Sequence, residues 1–172
     1  MRLCTKAGRL PVLAFLALAP SLARAHDVTA GPLLIQHPWI RATPGGAQVA
    51  GGYLTVVNKG GAPDRLAGGS LEVATRFELH EMSMTGDVMT MRPLGSIEIL
   101  AGRSITLEPA SKHIMFTGHK HGLKKGQEVD GTLVFEHAGT VPVRFTVEGI
   151  GAKSPGDASS PAGNAMPGMT MD

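Results

Sequence analysis

Four methionines, Met82, Met84, Met89 and Met91, fall within ten residues of one another, just after His80 in the segment Phe77-Glu-Leu-His80-Glu-Met82-Ser-Met84. A fifth follows in His113-Ile-Met115. In a strand, side chains at i and i+2 share a face, so His80, Met82 and Met84 project together while Phe77 and Leu79 point the other way, into a core. If Thr85-Gly86 is the loop of a hairpin, opposing residue numbers sum to 171, and His80 faces Met91 while Met82 faces Met89. A longer loop that moves the sum to 173 keeps the same parity. In either register the histidine and the four thioethers share one surface.

His113-Ile-Met115 repeats the logic on another strand. Together they make a candidate His₂Met₂ site, with Met115 beside His113 and one of the hairpin methionines beside His80. Thioether sulfur is soft and has no proton to lose, which favours d¹⁰ Cu(I), tolerates near-tetrahedral geometry and discriminates against Zn(II), Mg(II) and Ca(II). No strong donor for Cu(II) accompanies it, so such a site should take up and release cuprous ion rather than cycle electrons. Methionine is also flexible core filler, and a single His-x-Met can be accidental. The metal reading rests on the combination: methionine density, strand periodicity, two histidines, and an exported chain without thiols.

The remaining candidates each carry two readings. His119 and His121, in Gly118-His-Lys-His-Gly122, are either a solvated loop or further imidazole ligands. Met166, Met169 and Met171, in the C-terminal tail, are either a thioether capture arm or a spacer. His26 offers an α-amine plus an imidazole once freed, a pair suited to Cu(II), against the alternative of a frayed terminus. His37 and Trp39 should pack and hydrogen-bond at the start of the domain, with Arg41 pairing a carboxylate, and His137 should be exposed before a glycine turn. The one Trp and one Tyr offer no aromatic relay for a redox role.

The chain has 172 residues, 16 Lys+Arg and 14 Asp+Glu. Four of the basic residues, Arg2, Lys6, Arg9 and Arg24, lie in the first 25 positions, where there is no acid, so the rest carries 12 against 14, a net of −2. Those 25 residues read as an export signal: a basic start, an apolar stretch from Leu10 to Ala19, Pro20, and Ala23-Arg24-Ala25 as a cleavage site that leaves His26 first. The expected compartment is the periplasm. No later segment approaches the roughly 20 apolar residues of a membrane helix, so the mature protein is expected not to span a membrane. Its only cysteine, Cys4, leaves with the signal and lies too early to carry a lipid at the cleavage point. Without a thiol there is no disulfide, no cysteine nucleophile, no Cys-ligated zinc and no blue-copper site. No nucleotide-binding or hydrolase motif occurs, and no Lys/Arg cluster is interleaved with aromatics, so neither an enzyme nor a nucleic-acid binder is expected.

From Leu33 to Ile150, short β-branched or alternating runs are separated by Gly, Pro and Asp. The pattern predicts an all-β domain with strands at 33–37, 52–58, 70–73, 76–84, 88–92, 104–107, 113–117, 132–136 and 142–148, arranged as a two-sheet sandwich or Greek-key barrel. The organisation expected is a signal at 1–25, a metal-binding β domain at 26–150 and a flexible tail at 151–172.

The spacing His-x10-Met-x21-His-x-Met, filled by His80, Met91, His113 and Met115, resembles that of the periplasmic copper chaperone family PCu(A)C. So do the opening His37-Pro-Trp-Ile-Arg-Ala-Thr-Pro44 and the stretch Leu79-His-Glu-Met-Ser-Met84. The resemblance covers about residues 30–148. It implies a cupredoxin-like β-barrel, a Cu(I) site near the surface and delivery of copper towards the CuA centre of cytochrome c oxidase, with subunit II as acceptor and another copper chaperone as a further exchange partner. The alternative function is a periplasmic copper scavenger or buffer for uptake or detoxification. A redox carrier is disfavoured by the missing thiolate, and a monomer is expected. The His119/His121 loop and the Met-containing tail depart from the usual family pattern.

Overall fold

Alternation sets the faces of each strand. Along β11 (Gly139–Glu148), Val141, Val143, Phe145 and Val147 are buried, while Thr140, Pro142 and Arg144 between them are exposed. The computed structural model describes residues 27–119 and 121–157, so the export signal, His26 and the tail methionines lie outside the described residues. Among the described residues there are eleven strands and no helix. Before β11 come β1 (Val28–Ala30), β2 (Leu33–Arg41), β3 (Val49–Asn58), β4 (Asp64–Leu71), β5 (Arg76–Thr85), β6 (Val88–Leu94), β7 (Ile97–Ile99), β8 (Ser104–Leu107), β9 (Lys112–Thr117) and β10 (Glu128–Phe135).

The hydrogen-bonded order is β6-β5-β9-β3-β2-β11-β10-β4-β7, with β1 on β2 and β8 on β3. Every pairing is antiparallel except β2 with β11. Edge-to-face contacts run from Phe77 on β5 to Phe116 on β9 (5.7 Å) and from Phe116 to Phe145 on β11 (5.5 Å), so the sheet is curled around one core. This is the expected all-β Greek-key barrel. All nine predicted strands have counterparts. The three-residue strands β1 and β7 were not anticipated, and β4 begins at Asp64 rather than at Ser70.

The early start of β4 has an electrostatic cause. Asp64 is buried, and its carboxylate accepts the backbone N–H groups of Arg65 (2.7 Å), His137 (2.9 Å) and Ala138 (3.0 Å), which ties β4 to the β10–β11 turn. Burial pushes this carboxyl up, but those N–H donors outweigh burial and hold it below the usual carboxylate range. Asp64→Asn turns one acceptor into a donor facing N–H groups and should cost about 1–3 kcal/mol at neutral pH. Because the folded-state pKa is depressed, Asp64 contributes stability above the unfolded value of about 3.9, and that contribution is lost as pH falls through the folded value. Urea denaturation at neutral and acid pH should therefore show the gap between parent and variant closing at low pH.

A bulge on β2 decides what reaches the outer surface. The register with β3 shifts between Gln36 and Trp39, and His37 there has a positive φ of 48°. The extra residue reverses the alternation: Leu33 and Ile35 point inward before it and Ile40 after it, which sends Trp39 to the outer face beside Tyr53. His37 itself is exposed, its N–H on the Asp27 carboxylate at 3.3 Å. The folded part also continues past Ile150. Ala152 is fully buried against Trp39 and Tyr53, and Arg41 donates to its carbonyl at 2.6 Å and 3.1 Å, so the boundary expected at 150 falls short. Arg41 was expected to pair a carboxylate; the nearest acceptor is this backbone oxygen.

Candidate metal centre

The hairpin that carries the methionines turns at Gly86-Asp87, one position later than expected, with Gly86 at a φ of 60° that suits the first central position of a two-residue hairpin turn. Opposing residues sum to 173: Met82 faces Met91, Met84 faces Met89, and His80 faces Pro93. On its other edge β5 pairs with β9, which sets His80 directly opposite His113 and Glu78 opposite Met115. All four candidate ligands therefore lie on one face of three adjacent strands.

They do not converge equally. His80 and His113 are brought together, with ring centroids 6.0 Å apart and planes 26° from parallel. Met115 sits diagonal to His80 on β9. Met91 sits diagonal to His80 on β6, displaced towards the hairpin tip, whereas Met115 is displaced away from it. Diagonal neighbours in a sheet are about 7–8 Å apart, within reach of a long side chain.

Both imidazoles are buried, at 9% and 7% exposure, and each is held through one nitrogen. His113 Nδ1 lies 3.0 Å from the Ser111 carbonyl. A carbonyl only accepts, so Nδ1 carries the proton and Nε2 keeps its lone pair. His80 Nε2 lies 3.0 Å from the Glu78 carboxylate and donates to it in the same way, while His80 Nδ1 is buried with no hydrogen-bond partner. A buried, unpartnered nitrogen costs about 1–3 kcal/mol and is uncommon unless something binds it. An imidazole with one N–H on a carboxylate or carbonyl and the other nitrogen free is prepared as a metal ligand. Glu78 escaped the sequence reading, although its position two residues before His80 puts it on the same face.

The wall beside His113 is aromatic. The Tyr53 ring is 6.5 Å from the His113 ring, Trp39 is 4.4 Å from Tyr53, and the Arg41 guanidinium carbon stands 5.6 Å over Tyr53. The sequence offered no sign of such contiguity, because it arises from the β2 bulge. Gly51, opposite Met115 on β3, makes room for the ring: a Cβ there would collide with the Tyr53 hydroxyl. Burial raises the Tyr53 hydroxyl above its ordinary range, with Arg41 opposing.

On the reverse face of the same strands, Glu81 receives Arg92 of β6 and Lys112 of β9, the latter at 2.8 Å. Hydrogen bonds from Lys112 and Arg92 hold its carboxyl down at about 2. One carboxylate thus cross-links the three strands that carry the histidines and methionines.

His119 is buried rather than solvated, with Nδ1 at 3.0 Å from the His121 carbonyl and Nε2 without a partner. His137 is exposed, as expected, near Asp64. Among the described residues no three His, Asp or Glu side chains cluster around a common point as the ligands of a hard metal ion would.

Known proteins share the family and the fold. The family described as "Putative lipoprotein LpqE-like" matches residues 33–147. A relative described as "Putative lipoprotein Lxx21020", from Leifsonia xyli subsp. xyli, is 30% identical over 130 residues, covering 75% of this chain and 77% of its own length. Among solved structures, the copper-bound PCuAC domain from PmoF2 is 28% identical with a TM-score of 0.63, over 72% of this chain and 98% of that domain. The apo form of DR1885 from Deinococcus radiodurans, solved in solution, is 26% identical with a TM-score of 0.55, over 84% and 97%. With its fold shared with PCuAC domains and its family match running from the start of β2 into the end of β11, the chain belongs to the LpqE-like family.

Proposed function

We propose that this protein is an exported Cu(I) metallochaperone that holds its cargo with His80, Met91, His113 and Met115. The observation that carries the reading is the buried cross-strand pair His80–His113, each ring anchored through one nitrogen and leaving the other free, with thioethers to either side on the same face. Two structural neighbours support it by what they hold: the PmoF2 domain is copper-bound, and DR1885 was also solved with Cu(I).

The chemistry suits carriage. Two imidazoles and two thioethers are neutral ligands, so the monovalent ion keeps its charge, and no thiolate is present to make the site a trap. Thioethers displaced one at a time by an acceptor's ligands allow the ion to leave without passing through water. Glu78 and Ser111 fix ring orientation in the absence of metal, which lowers the ordering cost of binding.

The finer reading is delivery to the CuA centre of cytochrome c oxidase subunit II, in the periplasm, after cleavage following Ala25. The basic and apolar leader and the relatives' description as lipoproteins support export. A transfer experiment separates a chaperone from a scavenger or buffer. Mixed with an apo CuA domain, the Cu(I)-loaded protein should give up its ion within minutes, and faster than an equally strong small chelator does. Retention of copper against the apo acceptor would make the protein a buffer, and failure to compete with a Cu(I) chelator at all would remove the copper reading.

A further inference from the structure

The tip of the β5–β6 hairpin carries chemistry that the histidine site does not use. Met84 is 64% exposed, Met89 52% and Met91 51%, with Met82 half-buried beside them. Core filler does not stand in water, so packing does not account for these side chains. The register makes them two successive cross-strand pairs, Met82 opposite Met91 and Met84 opposite Met89, all on the face that carries His80. The reverse face is a polar ladder instead, with Glu81 opposite Arg92 and Ser83 hydrogen-bonded to Thr90 at 3.0 Å. The hairpin is thus divided lengthwise into one thioether face and one polar face.

We infer that Met82, Met84 and Met89, with Met91 at the junction, form a second, weaker site for a soft monovalent ion, through which Cu(I) reaches and leaves the histidine pair. The inference rests on the copper reading above for the identity of its ligand. Directly opposed residues have Cβ atoms about 4.5–5.5 Å apart, so the flexible thioethers of a pair can turn towards one ion. Exposed methionines have much rotamer freedom to lose on ligation, which makes this site weaker than one built from buried, pre-oriented imidazoles. The donors form a gradient along one face: thioethers alone at the exposed tip, then Met82 and Met91, then His80 and His113, with Met115 at the inner end. An ion captured at the tip moves inward by exchanging one soft ligand at a time.

The test uses the full chain labelled with ¹³C at the methionine methyl groups and titrated with Ag(I), a diamagnetic d¹⁰ probe, in chloride-free buffer. The first equivalent should move the Met115 methyl, and the second should move Met82, Met84 and Met89. Met84→Leu/Met89→Leu should keep the first event and lose the second, so that binding falls from two ions on the barrel to one. Ladder methyls that stay still while Met115 moves, with the second equivalent taken up by the tail methionines or not at all, would overturn the ladder and leave the histidine site standing. His80→Leu separates the readings in the other direction. Its ladder methyls should still shift, now with the first equivalent, and their silence in this variant would overturn an independent second site. If they shift while Met115 never responds in the parent, the ladder holds and the histidine-site reading fails.

Discussion

His80→Leu should abolish tight Cu(I) binding while leaving the metal-free protein as stable as the parent or about 1 kcal/mol more stable. The two effects have opposite signs because of one nitrogen. His80 Nδ1 is buried with no partner, so the free protein already bears the desolvation of an unpaired lone pair. Leucine removes that burden, fills similar space against the half-exposed Glu78, and lets that carboxylate return to water. What is lost is a metal ligand. Changing only the partner of a ligating histidine typically costs 10–100-fold in affinity, so losing the ligand itself should cost more, on the order of a thousandfold or beyond. Glu78→Gln serves as the graded control, with an expected 10–100-fold loss. Chelator competition measures affinity and urea denaturation measures stability, both on the same samples. Added Cu(I) should raise the thermal midpoint of the parent far more than that of His80→Leu, which keeps only weak binding on the methionine hairpin. Affinity within tenfold of the parent would remove His80 from the site. A loss of more than about 2 kcal/mol in the metal-free variant would make it a structural histidine instead.

The parity of the methionine hairpin was legible in the sequence because it depends only on the period of two along each strand. His80, Met82, Met84, Met89 and Met91 share a face whether the turn centres on Thr85-Gly86 or, as found, on Gly86-Asp87. The pairing of β5 with β9 was not legible. It depends on which strands become neighbours, and the direct opposition of His80 and His113 follows from that non-local choice. The same holds for Asp64, whose partners His137 and Ala138 lie more than seventy residues away. Pro63-Asp64 and Gly68-Gly69 look like turns when only neighbours in sequence are considered.

The β2 bulge explains the largest departure. An unbroken alternation from Leu33 would send Trp39 inward with Ile35, and nothing in the composition announces that His37 takes a positive φ. Once it does, Trp39, Tyr53 and Arg41 gather outside the barrel, and Ala152 of the expected tail finds an apolar surface to cover. The Gly-, Ser- and Pro-rich composition after Ile150 argued against self-burial, yet Ala152 is fully buried against the aromatic pair beside His113.

Phe116→Ala should be among the most damaging single substitutions, at about 3–5 kcal/mol, against a total stability of roughly 5–15 kcal/mol for a domain of this kind. Phe116 is fully buried and makes edge-to-face contacts with both Phe77 and Phe145, joining β5, β9 and β11 through one ring. Aromatic pairs of this geometry add about 0.5–1.5 kcal/mol each beyond area burial, and rigid neighbouring strands leave a cavity that cannot collapse fully. The consequence for metal binding follows from alternation on β9. Ile114 and Phe116 anchor the strand to the core, and His113 and Met115 project from its other side, so the ligands are only as well placed as the anchor. Urea denaturation at low temperature should show the stability loss, and Cu(I) should recover part of it, because the ion binds the folded state alone. The affinity of the folded fraction should fall far less than in His80→Leu, since no ligand is removed. A stability loss below about 1 kcal/mol would mean that the core does not converge on Phe116, and metal binding abolished in a still-folded variant would mean that the site tolerates no movement of β9.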